Sequence, residues 1–194
     1  MCIISQFDTF RAKNVMWRKW FTGYGNIIEM KLGILSDTHG WLHPNAYRYL
    51  QDVDLILHAG DVGSVDIIDE LQAIAPVRAV WGNVDGWDLR HPYPEHDRFE
   101  VAGVRFWMTH IAGRPGRWQR GMGKQLSEDP PDVFVCGHSH ILQIERVPDL
   151  NGMLFLNPGA AGRQGFQQVK TLVRLHLADG RPKQAEVVHL DEDG

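Results

Sequence analysis

Five short polar clusters carry the groups in this chain that could do chemistry: Asp37-Thr38-His39, Gly60-Asp61, Gly82-Asn83-Val84-Asp85, Thr109-His110 and Gly137-His138-Ser139-His140. Each stands where a hydrophobic run ends. Carboxylate, amide and imidazole in these proportions suit a pair of divalent cations. The mixture also selects among them, because Mn²⁺, Fe²⁺, Zn²⁺ and Ni²⁺ accept neutral imidazole while calcium and magnesium prefer oxygen alone. One carboxylate can bridge two ions about 3.5–4 Å apart, and the water between them loses a proton readily enough to act as a nucleophile near neutral pH. That chemistry suits phosphate ester hydrolysis, so an enzyme is the first expectation.

The hydrophobic runs must position these groups. Lys31 to Ser36 reads as a buried strand, followed by a helix around Pro44 to Gln51. A strand at Asp54 to His58, a helix at Ser64 to Ile74 with Val65, Ile68, Leu71 and Ala75 on its apolar stripe, and a strand at Val77 to Trp81 continue the alternation. Units of this length predict right-handed βαβ crossovers and a parallel sheet. Downstream, Phe99 to Val101 and Val104 to Thr109 predict a hairpin about Ala102-Gly103. A glycine-interrupted helix between Trp118 and Leu126 follows, then strands at Val133 to Cys136, Ile141 to Val147 and Met153 to Leu156. A last hairpin joins Thr171 to Leu177 with Glu186 to Leu190 across Asp179-Gly180. The expected architecture is α/β, two mixed sheets face to face with helices outside. Ligands of open α/β sheets bind at the carboxyl ends of strands. Asp37, Asp61 and Asn83 each follow a strand and meet at one edge; His110 and His138 follow strands in the same manner. Asp37 and His39, or His138 and His140, are expected to point different ways from extended segments.

At 194 residues with 43% hydrophobic content, the chain has enough apolar material for one well-buried domain. A net charge of −4 gives no general attraction to nucleic acid or an anionic membrane, so a phosphate-bearing substrate must be held locally. No run approaches the roughly 18 apolar residues of a membrane span. Cys136, inside Val133-Phe134-Val135-Cys136, reads as a packed free thiol in a reducing cytoplasm. Residues 1–29 mix basic and aromatic residues without the pattern of an export signal. They are read as an extension, with Val15 to Phe21 as a candidate amphipathic helix, and residues 30–194 as the functional domain.

The order Asp-x-His, Gly-Asp, Gly-Asn-x-Asp, Thr-His and Gly-His-x-His resembles the calcineurin-like metallophosphoesterases. Ser36-Asp37-Thr38-His39-Gly40 with Asn157-Pro158-Gly159 is similar to their small single-domain phosphodiesterase branch. The resemblance runs from Met30 to the C-terminus and implies a four-layer α/β/β/α sandwich. It also implies hydrolysis of a small phosphate ester, foremost a phosphodiester, by a metal-bound hydroxide. It assigns Asp37, His39 and His140 to one metal, Asn83, His110 and His138 to a second, and Asp61 to both. Asp61, Asn83, His110 and Asp85 are the catalytic candidates; manganese is the expected ion, with nickel, iron or zinc as alternatives. Three departures stand out. Val84 occupies a position where many relatives place a histidine that assists the leaving group, and valine cannot transfer a proton. Ile111 and Ala160 replace a glycine and a serine common in the family. The alternative reading is a non-catalytic protein-interaction module resembling the retromer subunit of this fold. That drift would replace ligand residues, and here all seven are present.

Other residues read more plainly. His43, His91, His96, His176 and His189 receive no role, while His58, just before Ala59-Gly60-Asp61, is a candidate support for a ligand. Asp85 is either a turn residue or a contact to the site. Arg163 is a candidate substrate-phosphate contact, or simply solvated. Arg114, Arg117, Arg120 and Lys124 read by default as a solvated helix face, with a phosphodiester contact as the alternative. Trp41, Trp87 and Trp118 read as packing residues before stacking platforms.

Overall fold

The computed structural model describes residues 29–165 and 167–191. The candidate helix from Val15 to Phe21 lies outside them.

The first sheet is built around three parallel strands, β1 (Met30–Leu35), β2 (Leu55–His58) and β3 (Val77–Ala79). The crossovers carry α1 (Pro44–Leu50) and α2 (Val65–Gln72). Pro44 opens α1 where its missing N–H costs nothing, and Ser64 caps α2 by accepting from the Asp66 N–H. The buried stripe of α2 is Ile67, Ile68 and Leu71. Val65, expected on that stripe, is 37% exposed, because Ser64 places it at the first position, ahead of the turn that meets the sheet. A short helix, α3 (Trp87–Arg90), leads to the second sheet.

That sheet begins with the expected hairpin of β4 (His96–Val101) and β5 (Val104–Thr109). Its turn residues Ala102 and Gly103 have φ of 51° and 74°, the double left-handed turn whose twist matches the strands. The next segment departs from the sequence reading. β6 (Gly113–Arg114) and β7 (Arg117–Trp118) form a small separate hairpin, and α4 (Met122–Glu128) starts only after it. Positive φ at Gly113, Gly116 and Gly121 prevents a helix from running through, so Arg114 and Arg117 stand on a hairpin rather than a helix face. β8 (Val133–Val135), β9 (Leu142–Val147) and β10 (Met153–Pro158) complete the second sheet in the order β4-β5-β8-β10-β9, with β5, β8 and β10 parallel. β11 (Thr171–Ala178) and β12 (Arg181–His189) return to the first sheet, ordered β12-β11-β1-β2-β3.

Alternation along the strands produces the layers. Leu32 and Ile34 of β1, Phe106 and Met108 of β5, and Val133 and Val135 of β8 meet between the sheets. Leu35 joins Ala46, Leu50, Ile68 and Leu71 under the helices. Trp107, Phe134 and Phe155 face outward against Met122 and Leu126 of α4. Three apolar clusters thus separate four layers, α/β/β/α.

Candidate metal centre

Six parallel strands, three per sheet, deliver their carboxyl ends to one edge. The two sheets are tied there: the His138 N–H donates to Asp37 Oδ2 at 3.1 Å, and His110 Nδ1 lies 2.8 Å from the Ala59 carbonyl.

The loops after these strands are unusual in their backbone. Asp37, His39, Asp61, His138 and His140 have φ of 57°, 49°, 51°, 68° and 57°. Left-handed backbone at a residue other than glycine costs about 1–3 kcal/mol and persists only where surrounding contacts impose it. Those contacts are visible: Asp37 N donates to Gly60 O at 3.0 Å, His39 N to Asp61 O at 3.0 Å and Gly162 N to Asp37 O at 3.1 Å. This overturns the extended-segment expectation. Asp37 and His39 curl toward the same point, whereas His138 and His140 separate.

Two groups of side chains result. Asp37, His39 and His140 bring their ligand atoms within 4.8 Å of one another, and Asp61, His110 and His138 do the same. In the first, His140 Nε2 lies 3.1 Å from Asp37 Oδ1 and 3.3 Å from His39 Nε2. In the second, His110 Nε2 lies 3.2 Å from Asp61 Oδ2. The groups adjoin, since His110 Nε2 is also 4.0 Å from Asp37 Oδ1. Asn83 is exposed and lines a cavity of about 170 Å³ with Gly82, His110 and Arg120.

The arrangement fits divalent cations on its own chemistry. Asp37 Oδ1 and His110 Nε2 are buried without a hydrogen bond, which is costly unless something else satisfies them. The field also favours positive charge. Burial opposes protonation of His110, yet the close Asp61 carboxylate and the charge of Asp37 raise its pKa overall. The Asp37 carboxylate, 3.1 Å away, likewise raises His140. Burial lowers His138, which keeps that imidazole neutral as a ligand must be. Two imidazoles are held by their second nitrogen: His110 Nδ1 by the Ala59 carbonyl and His140 Nδ1 by Gln167 Oε1, each at 2.8 Å. Donation through Nδ1–H leaves the Nε2 lone pair facing the group.

The description "Calcineurin-like phosphoesterase superfamily domain" matches residues 30–180. The chain belongs to this superfamily. A probable metallophosphoesterase of Methanothermobacter thermautotrophicus is 36% identical over 171 residues, covering 82% of this chain and 92% of that protein. A phosphodiesterase of Methanocaldococcus jannaschii is 32% identical over 148 residues, covering 67% and 83%. Among solved structures, vacuolar protein sorting 29 of Cryptosporidium parvum shares the fold with a TM-score of 0.64 at 21% identity, over 83% of this chain and 97% of that one.

Within this superfamily fold, three side chains sit differently from the sequence reading or escaped it. The Asp85 carboxylate does not join either group; it accepts from Val62 N at 3.2 Å, Gly63 N at 2.8 Å and Gly82 N at 2.7 Å, clamping the loops after β2 and β3 together. Gln167, twenty-seven positions after His140, carried no motif signal. Thr38, between two ligand candidates, donates to Val62 O and receives a hydrogen bond from His58 Nε2 at 2.9 Å, so His58 supports the Asp37–His39 loop from below. Arg163 is exposed, its guanidinium 5.5 Å from the Trp41 ring centre.

Proposed function

We propose that residues 30–194 form a two-metal phosphodiesterase, with manganese as the preferred ion. The observation that carries this reading is the convergence of two three-residue groups on strained loops at one edge. Asp37, His39 and His140 would hold one ion and Asn83, His110 and His138 the other. Asp61 would serve both ions, and the Val84 N–H fixes its carboxylate by donating to Oδ1 at 3.0 Å. When bound, the ions supply a nucleophilic water near neutral pH and neutralise phosphate charge.

The chain's own residues then do the positioning. Ala59 O and Gln167 hold two imidazoles in the required tautomer, and Asp85 fixes the loop that presents Asp61. Arg163 at the rim takes a non-bridging phosphate oxygen. Val84 offers no proton, so the leaving group departs unaided, which favours diesters and activated esters. The phosphodiesterase name of one relative supports the same class. No helix among the described residues is long and apolar enough to cross a membrane, and a cytoplasmic setting fits the free, buried Cys136. A purely protein-binding role would leave the strained, desolvated ligand set without a purpose.

The test is purified protein loaded separately with Mn²⁺, Ni²⁺, Zn²⁺ or Mg²⁺ and assayed on bis(p-nitrophenyl) phosphate and p-nitrophenyl phosphate. Hydrolysis of the diester with Mn²⁺, lost on chelation, is expected. At saturating metal, Asp61→Ala should reduce turnover more than His140→Ala. Near wild-type turnover by folded Asp61→Ala would remove the bridging role.

A further inference from the structure

The metal centre opens on its His138 side into a groove of about 560 Å³, a size suited to a small organic group. Its lining includes His138, Ser139, Ile141, Arg114 and Arg117, and no carboxylate.

The two arginines are placed at an electrostatic cost. Arg114 and Arg117 pair directly across the β6–β7 ladder, where like charges repel. Both are exposed, and neither forms an ion pair among the described residues. Elsewhere Arg78, Arg98, Arg105 and Arg174 are all matched with carboxylates. The hairpin is also held rigidly. A Cβ at Gly113 would lie 2.5 Å from Arg117 O, so only glycine permits the close turn. Trp118 fastens the hairpin to the core, its ring 5.9 Å from Phe134 and 5.8 Å from Phe155. A rigid hairpin that carries two guanidinium groups with no carboxylate partner beside a phosphate-ester site is a receptor for an anion.

Two more groups complete the groove. Ser139 Oγ accepts from Asn157 Nδ2 at 3.1 Å and from Ile141 N at 3.3 Å, which leaves its hydroxyl proton available to a ligand. Ile141, 65% exposed, offers an apolar surface for carbon skeleton.

We propose that this groove is a subsite for a second anionic group, so that the substrate is a small phosphodiester carrying a further phosphate or carboxylate beyond the scissile phosphate. The proposal rests on the phosphodiesterase reading above. The second anion is held by Arg114 and Arg117, the intervening organic part lies on Ile141, and the scissile phosphate sits at the ions.

The test compares dithymidine monophosphate with its 5′-phosphorylated form, using Mn²⁺-loaded protein and bis(p-nitrophenyl) phosphate as the reference. The 5′-phosphorylated compound should be preferred about tenfold in kcat/KM, the scale of one or two charge-assisted hydrogen bonds. In Arg114→Gln/Arg117→Gln that preference should fall to about one, while Arg114→Lys/Arg117→Lys, which keeps charge but loses the forks, should retain part of it. Equal rates in the wild type, or an unchanged preference in the double Gln variant, would overturn the subsite. So would a rate that climbs with length up to a single-stranded dodecamer, since the groove would then be a nucleic-acid track. Failure to hydrolyse any of the three compounds would remove the hydrolytic reading instead. Calorimetric binding of the same dinucleotide pair then still decides the groove, and equal affinities would overturn it.

Discussion

Val84 stands on the exposed rim of the site, and its main chain matters more than its side chain: the N–H fixes Asp61 while the isopropyl group projects into solvent at 53% exposure. A proton donor at this point would serve a departing alkoxide, and general acid catalysis is typically worth about 10²–10⁴-fold. Wild-type rates on a series of esters should therefore fall steeply as the leaving-group pKa rises. Val84→His should flatten that slope and raise turnover of alkyl esters, without disturbing the Asp61 contact, which is made by the backbone. A flat slope in the wild type would show that another group already delivers the proton.

At the scale of elements, the site depends on loops that cross at van der Waals limits. Gly63, with φ of 82°, passes under the Asp37–His39 loop; a Cβ there would lie 2.5 Å from Gly40 N and 2.6 Å from His39 C. Gly63→Ala adds that clash to the cost of a left-handed alanine. It should lower stability by about 1–3 kcal/mol. Because the displaced backbone carries His39, affinity for the ion held by Asp37, His39 and His140 should drop about tenfold or more, as when supports of metal ligands are lost. Denaturant unfolding and Mn²⁺ titration measure the two effects. Lost stability with both metal affinities intact would mean that the crossing does not position the ligands.

For the molecule as a whole, acid sensitivity follows from His58, buried where the two sheets meet beneath the site. Burial lowers its pKa to about 4, against the pull of Asp85, Asp37 and Asp61. The folded value lies below the unfolded one of 6.5, so the neutral imidazole stabilises the fold fully above pH 6.5. That contribution is lost as pH falls from 6.5 toward 4, where the unfolded chain takes up a proton that the fold refuses. The window corresponds to on the order of 3 kcal/mol. Unfolding of metal-free protein across this range should show the decline. His58→Gln, which can still donate to Thr38, should have a shallower slope; an identical slope would assign the acid sensitivity to other groups.

The three parallel strands of the first sheet, the existence of β5, β8 and β10 and the two longer hairpins were legible because their signals are local: short apolar runs, crossover-length spacing and the turn pairs Ala102-Gly103 and Asp179-Gly180; that β5, β8 and β10 run parallel was not. Placing Asp37, Asp61, Asn83, His110 and His138 at one edge needed only strand order and direction. The division into two ligand groups, Asp37, His39 and His140 apart from His110 and His138, came from the family resemblance and agrees with the structure, but no local signal carries it. The left-handed backbone at Asp37 and His39 is imposed by Gly60, Asp61 and Gly162, which are distant in sequence, and no local propensity encodes it. The same reason hid Gln167, which meets His140 only through tertiary packing, and the clamp at Asp85, whose three donors come from two different loops. It also hid the Arg114–Arg117 hairpin, since basic residues spaced among glycines look alike on a frayed helix and on a two-stranded turn. The sequence by itself determined which groups stand at strand ends, because hydrophobic period and chain direction are written residue by residue. The tertiary structure alone decided how their side chains turn at that edge, because strained backbone exists only where remote contacts outweigh its cost.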